Sequence, residues 1–100
     1  LRLDPAAGRA SVGDKEVTLT VTELRILEVL MAAPTHVRSK ASIHEDVWGE
    51  PYPGRDTAIK THLSHLRSKL REVDPSCDYI ETVWGRGYVL RDENTEAEAA

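Results

Sequence analysis

Residues 56–90 read DTAIKTHLSHLRSKLREVDPSCDYIETVWGRGYVL, and this segment decides the fold. Its first half carries apolar residues at positions i, i+4, i+7 and i+11, namely Ile59, Leu63, Leu66 and Leu70. This spacing places the four side chains on one narrow stripe of a helix. We therefore predict an amphipathic helix that is capped by Asp56 and stopped by Asp74-Pro75.

The face opposite this stripe is polar. It holds small or hydrogen-bonding side chains with cations or imidazoles on both flanks: Thr57, Thr61, Ser64, His65 and Ser68, with Lys60, Arg67 and Arg71 on one side and His62 and Lys69 on the other. Small polar groups can approach base edges in a major groove, and flanking cations can reach the two phosphate strands. The layout is typical of a DNA recognition helix.

The second half of the segment predicts a β-hairpin. A strand from Tyr79 to Trp84 returns through Gly85-Arg86-Gly87 into a second strand, Tyr88 to Leu90. The two glycines supply the positive φ angles that such a tip requires. Arg86 is thereby held at an exposed apex, where a narrow and electronegative minor groove would attract it.

The residues before this segment predict a small antiparallel sheet and two helices. Three short alternating stretches, separated by proline and glycine turns, are expected to be strands: residues 1–3, 10–12 and 17–19. Thr22 is expected to cap a first helix, Glu23 to Ala32, that lies mainly in the core. A second helix should start at Ser39, bury Ile43 and Val47, and end at Gly49.

Length and cysteine content set the outer limits. A chain of 100 residues has room for one domain, which we assign to residues 1–91, followed by an acidic and disordered tail at 92–100. The single cysteine, Cys77, excludes an internal disulfide bond. No apolar run approaches the ~20 residues of a membrane span, and no signal peptide opens the chain. We expect a cytoplasmic protein without membrane contact, whose abrupt first strand suggests a longer parent chain.

The distribution of charge matters more than its total. The net charge is −4, but four of the 17 acidic residues lie in the tail, so 13 acidic residues face 13 basic ones elsewhere. Between residues 55 and 71 the only acidic side chain is Asp56, against five cations: Arg55, Lys60, Arg67, Lys69 and Arg71. This local excess indicates a face that attracts phosphate.

Four motifs in order carry a family resemblance. They are Leu19-Thr20-Val21-Thr22-Glu23, Asp46-Val47-Trp48-Gly49, residues 62–70 (HLSHLRSKL) and residues 82–88 (TVWGRGY). Together they resemble the OmpR/PhoB family of winged-helix response-regulator effector domains, from Leu3 to Leu90. The resemblance implies an α+β winged helix-turn-helix with an N-terminal four-stranded antiparallel sheet, three helices and a C-terminal β-hairpin wing.

The resemblance also implies partners. Such domains bind double-stranded promoter DNA, usually at direct repeats, and control transcription within two-component systems. A receiver domain, phosphorylated by a sensor histidine kinase, would lie upstream and would form dimers. The loop at residues 49–55 would contact RNA polymerase.

Site residues follow from the resemblance and the helix geometry together. Base contacts are expected from Lys60, Thr61, Ser64 and His65. Contacts to the DNA backbone are expected from Trp48, Arg55, His62, Arg67, Lys69 and Thr82, and the minor-groove contact from Arg86. This chain has Thr57 where the family usually has arginine and Lys60 where it usually has aspartate. Many members also have arginine where His65 stands. These departures concern the target sequence rather than the scaffold.

Several alternatives remain open from the sequence. The domain could be a winged-helix protein-interaction module that has lost DNA binding, or belong to related membrane-anchored activators. His62 and His65 could share a metal, although no third ligand accompanies them, so we expect no metal and no cofactor. Trp48 and Trp84 are expected to be packing residues, although each indole N–H could reach a phosphate. No nucleophile elbow, phosphate-binding glycine loop or zinc-hydrolase motif is present, and we predict that the protein is not an enzyme.

Overall fold

The computed structural model describes residues 1–54 and 57–91, with Thr57 described by its backbone alone. The elements follow in the order β1 Arg2–Asp4, β2 Arg9–Val12, β3 Lys15–Thr18, α1 Val21–Ala32, α2 Lys40–Trp48, α3 Thr57–Val73, β4 Ile80–Val83 and β5 Gly87–Leu90. Three predictions fall outside the described residues: the Asp56 cap, the Arg55 contact and the disordered tail at 92–100.

The N-terminal sheet is antiparallel in the order β1-β2-β3. Leu3 pairs with Ala10, which pairs in turn with Val17, so these three side chains lie on the face turned toward the helices. The Leu19 N–H donates to the Gly8 carbonyl at 2.8 Å and connects the sheet to the start of α1. The described residues form three strands here, as the alternation predicts, rather than the four that the resemblance implies.

Helix α1 begins two residues earlier than predicted, because its cap is Thr20 and not Thr22. The Thr20 hydroxyl accepts from the Glu23 N–H at 3.2 Å, and the Glu23 carboxylate accepts from the Thr20 N–H at 2.9 Å. These reciprocal bonds satisfy two backbone donors that the first turn would otherwise leave without partners. The Thr-x-x-Glu spacing of this capping box was the available sequence signal.

Helices α2 and α3 match their predictions. The Ser39 side chain caps α2, Ile43 and Val47 are buried, and Gly49 forms the C-terminal cap. Helix α3 ends at Val73, before Asp74-Pro75. All four residues of the predicted stripe are buried in the central core with α1, β2 and β5: Ile59, Leu63, Leu66 and Leu70. None of the helices within the described ranges is long and apolar enough to cross a membrane.

The C-terminal hairpin, β4 and β5, is fixed to the segment before α2. Arg38 and Tyr88 exchange backbone hydrogen bonds, with the Arg38 N–H 2.7 Å from the Tyr88 carbonyl and the Tyr88 N–H 2.9 Å from the Arg38 carbonyl. The Thr35 N–H donates to the Leu90 carbonyl at 3.1 Å. The wing is therefore held by backbone bonds at the entrance to α2.

Candidate nucleic-acid interface

A groove of about 680 Å³ separates α3 from the wing, and the start of α2 closes its third side. The lining includes five cationic side chains, contributed by all three elements: Lys40, Lys60, Arg67, Arg71 and Arg86. No aspartate or glutamate is among the lining residues in the described part of the chain. A chain of net charge −4 thus presents a groove lined by cations, one of which, Arg71, also lies 3.6 Å from Asp78 beside the groove.

The outward face of α3 carries the four residues predicted to read bases. Lys60, Thr61, Ser64 and His65 are all exposed, and Lys60 and Ser64 also line the groove. Their exposure follows from the buried stripe, because the helix period turns these positions away from the core. The side chain of Thr57, where the family usually has arginine, lies outside the described residues.

The wing tip presents two large side chains to solvent. Arg86 is exposed, and its N–H donates to the Val83 carbonyl at 2.9 Å, which closes the turn. Gly85 has a φ of +78°, as predicted for the tip. Trp84 is 89% exposed, so the prediction that it is a packing residue is wrong. The tight turn directs this indole away from the core, and Trp84 lines the groove with Arg86.

Arg67 connects α3 to the wing. Its guanidinium donates to the Thr82 hydroxyl and lies over the Tyr88 ring, 5.8 Å from the ring centroid. The Arg67 Nε is buried without a hydrogen-bond partner among the described residues. Arg67 and Thr82, both predicted to contact phosphate, therefore come together in the lining of the groove and connect α3 to the wing.

Lys69, predicted to contact the DNA backbone, pairs with a carboxylate of α1. Its Nζ lies 2.6 Å from Oε1 of Glu23, the buried capping residue of α1. Burial alone would raise the pKa of Glu23, but bonds from Lys69 and Thr20 outweigh it and lower the pKa below its ordinary value. Lys69 neutralises a buried carboxylate and so contributes to stability, while its phosphate contact stays a prediction.

Trp48 and His62 lie together at the end of α2. The Trp48 ring is 6.2 Å from the His62 ring and stacks on His44 at 4.9 Å. Neither Trp48 nor His62 lines the groove, and Trp48 packs against the core as predicted. Among the residues that the structure covers, no cluster of three His, Cys, Asp or Glu side chains could hold a metal ion.

Two cations and one aromatic residue of the groove were not among the predicted site residues. Arg71 was placed on the correct helix flank but not assigned to the site, although it follows Arg67 by one turn. Lys40 and Trp84 were not assigned to the site either. No local pattern identifies Lys40, because backbone bonds between the wing and the segment before α2 bring it to the groove.

The family model described as "Transcriptional regulatory protein, C terminal" matches residues 14–90. The response regulator MprA of Mycolicibacterium vanbaalenii is 39% identical over 92 residues, which are 92% of this chain and 39% of MprA. The chain thus spans about two fifths of the length of the curated relatives it matches.

Two solved structures are similar in fold and sequence. The C-terminal domain of the nisin resistance regulator NsrR, a lantibiotic response regulator, has a TM-score of 0.77 and 36% identity, with 91% of each chain covered. The DNA-binding domain of CpxR from E. coli has a TM-score of 0.74 and 32% identity, covering 88% of this chain and 86% of that one. These similarities confirm the predicted three-helix winged architecture.

Proposed function

This chain belongs to the family of C-terminal domains of transcriptional regulatory proteins, and we propose that it binds specific sequences in double-stranded DNA through α3 and the wing. One observation carries the proposal: among the described residues, five cations and no acidic side chain line the groove between an exposed polar helix face and the wing apex. The family consists of transcription regulators, so the prediction of a non-enzymatic protein holds.

Base recognition falls to the exposed face of α3 in the major groove. Lys60 can donate to guanine acceptors, Thr61 and Ser64 can donate or accept, and His65 can contact purine edges. Because Lys60 and His65 differ from the residues usual in the family, we propose that the target sequence differs as well. A small hydroxyl at position 64 lets the helix backbone approach the bases closely.

Phosphate contacts flank this face. On the wing side, the groove offers Lys40, Arg71 and the Arg67–Thr82 pair, which can straddle one DNA strand. On the opposite side, the Trp48 N–H and His62 can reach the other strand. Arg55 is proposed as a further contact from the sequence alone. Arg86 then enters the adjacent minor groove, whose negative potential favours a cation.

The wider role rests on the relatives. We propose that the domain is the effector part of a cytoplasmic response regulator in a two-component system, joined to a receiver that a sensor histidine kinase phosphorylates. MprA is itself named a response regulator. Receiver dimers would place two copies on repeated half-sites, and residues 49–55 would face RNA polymerase.

Selection from random duplex DNA tests the function directly. The preferred duplex is then titrated against a scrambled duplex at several salt concentrations. We expect a short motif whose preference persists at physiological salt. Equal binding to both duplexes that salt abolishes, or no binding at all, would instead favour a winged-helix module for protein interaction.

Arg86→Ala should weaken binding to the selected duplex about 5- to 150-fold, which corresponds to about 1 to 3 kcal/mol. The effect should be larger at low salt, because a released counterion accompanies each phosphate or groove contact made by a cation. Fluorescence anisotropy with labelled duplex measures this. Arg9→Ala is the control, since Arg9 is an exposed arginine on β2 that pairs with Glu16 outside the groove. Equal affinities for the two variants would contradict the assignment.

A further inference from the structure

Trp84 is the most exposed large apolar side chain in the described part of the protein, at 89%, and Val21 follows at 68%. An aromatic ring of this size stabilises a fold only when it is buried, so the folded domain gains little from Trp84. Nothing in the core depends on it, because the residues that pack against the core do not include Trp84. The indole is available to a ligand.

The backbone at Trp84 is held in place even though the indole ring is exposed. The turn beneath it is closed by the Arg86–Val83 backbone bond at 2.9 Å. One residue beyond Arg86, the Gly87 Cα lies so close to the Arg38 carbonyl that a Cβ built there would stand 2.0 Å from the oxygen. The backbone of the tip is thus anchored, so presenting Trp84 to a ligand costs little backbone freedom.

We propose that Trp84 acts as an apolar wedge that enters the minor groove of bound duplex DNA beside Arg86 and determines part of the specificity. This inference rests on the proposed function and deepens it. Arg86 is attracted by the negative potential of the groove, whereas the indole contacts sugars and partly unstacks one base-pair step. Pyrimidine–purine steps unstack most easily, so the preferred site carries one under the wing.

The surroundings of Trp84 favour DNA over other partners. The groove that begins at the indole is about 680 Å³ in volume and is lined by cations, among them half-buried Arg67 and exposed Arg71. A sugar-phosphate strand can enter such a groove, whereas a flat lipid surface meets only the tip. An apolar socket on a protein would suit the indole but would offer nothing to the cations of the groove.

Two variants separate the wedge from the charge. Trp84→Ala should lower affinity for the selected duplex about tenfold, as expected for one lost aromatic contact to a base. The slope of log K against log salt should stay unchanged, because no cation is removed, while Arg86→Ala reduces that slope. Trp84→Phe should retain most of the affinity. Val21→Ala removes the other large apolar side chain that is exposed in the described part of the chain and lies outside the groove, and this variant should bind like wild type.

Fluorescence reports the same event independently of affinity. The emission difference between wild type and Trp84→Phe isolates Trp84 from half-buried Trp48. Saturating duplex should quench this emission and protect it from acrylamide. Thermal melts should show both Trp84 variants folded, since the side chain is exposed.

The outcomes are distinguishable. If the wild type binds the selected duplex and Trp84→Ala binds it equally well, the wedge is overturned and the proposed function stands. The same holds if the wild type binds but acrylamide still quenches Trp84. Absence of wild-type binding to every duplex overturns both. Protection of Trp84 by phosphatidylglycerol vesicles, but not by duplex, also overturns the wedge. A tenfold loss with an unchanged salt slope supports it.

Discussion

Gly87→Ala should lower the free energy of unfolding by about 3 to 4 kcal/mol, from backbone strain and lost backbone hydrogen bonds. A Cβ at this position would stand 2.0 Å from the Arg38 carbonyl oxygen and 2.8 Å from the Ser39 Cα. Both neighbours are backbone atoms, so no side chain can rotate away. The φ of +143° adds strain for any residue with a Cβ. Urea denaturation measures the loss.

Gly85→Ala is the matched control for this prediction. Gly85 lies two residues away in the same turn with a φ of +78°, but nothing stands within 4 Å of its Cβ position. We expect a loss of only about 1 kcal/mol, from the left-handed backbone alone. If the two alanine variants unfold at the same urea concentration, the close approach to Arg38 does not hold the wing.

Lys69→Met should destabilise the domain by about 2 to 3 kcal/mol at neutral pH. The change leaves Glu23, only 2% exposed, without the cation that neutralises it. Removing one partner of a fully buried pair costs about 3 to 5 kcal/mol, and Lys69 remains 30% exposed, so we expect a smaller value. Lys15→Met, which removes an exposed lysine on β3, should change stability by less than about 0.5 kcal/mol.

The pH dependence tests the same pair. The pKa of Glu23 is lowered in the folded protein from 4.5, so its stabilisation is present above that pH and is lost as the pH falls through the folded value. In Lys69→Met, burial would instead raise this pKa, and protonation would relieve the variant. The stability gap between wild type and Lys69→Met should therefore narrow in acid. A gap that is constant from pH 7 to about pH 3 would show that Glu23 stays solvated.

The sequence predicted the helices and turns whose signals come from residues close together in the chain. The four-residue stripe of α3 has one consistent period, and Ser39 and Gly49 mark both ends of α2. The start of α1 was misplaced because two threonines stand two residues apart. Only the reach of Glu23 back to the N–H of residue 20 distinguishes them.

The candidate site was predictable only in part, because long-range packing assembles it. Lys69 and Glu23 are 46 residues apart in the chain, so a lysine on the polar side of α3 could not be recognised as the partner of a buried carboxylate. Lys40 lies at the groove because backbone bonds join the segment before α2 to the wing. Trp84 was mistaken for a packing residue because apolar character usually indicates burial, and only the direction of the turn exposes it.

The Arg67–Thr82 contact joins the wing to α3, and the Arg38–Tyr88 backbone bridge holds the wing at the entrance to α2. Backbone groups form this bridge, so exchanging the exposed side chains of α3 or of the turn leaves it unchanged. Relatives can therefore differ in the bases that they recognise while the proposed contacts of α3 and of the wing keep their spacing. In such a domain, side-chain substitutions would change the recognised bases, and the backbone would keep the wing in place.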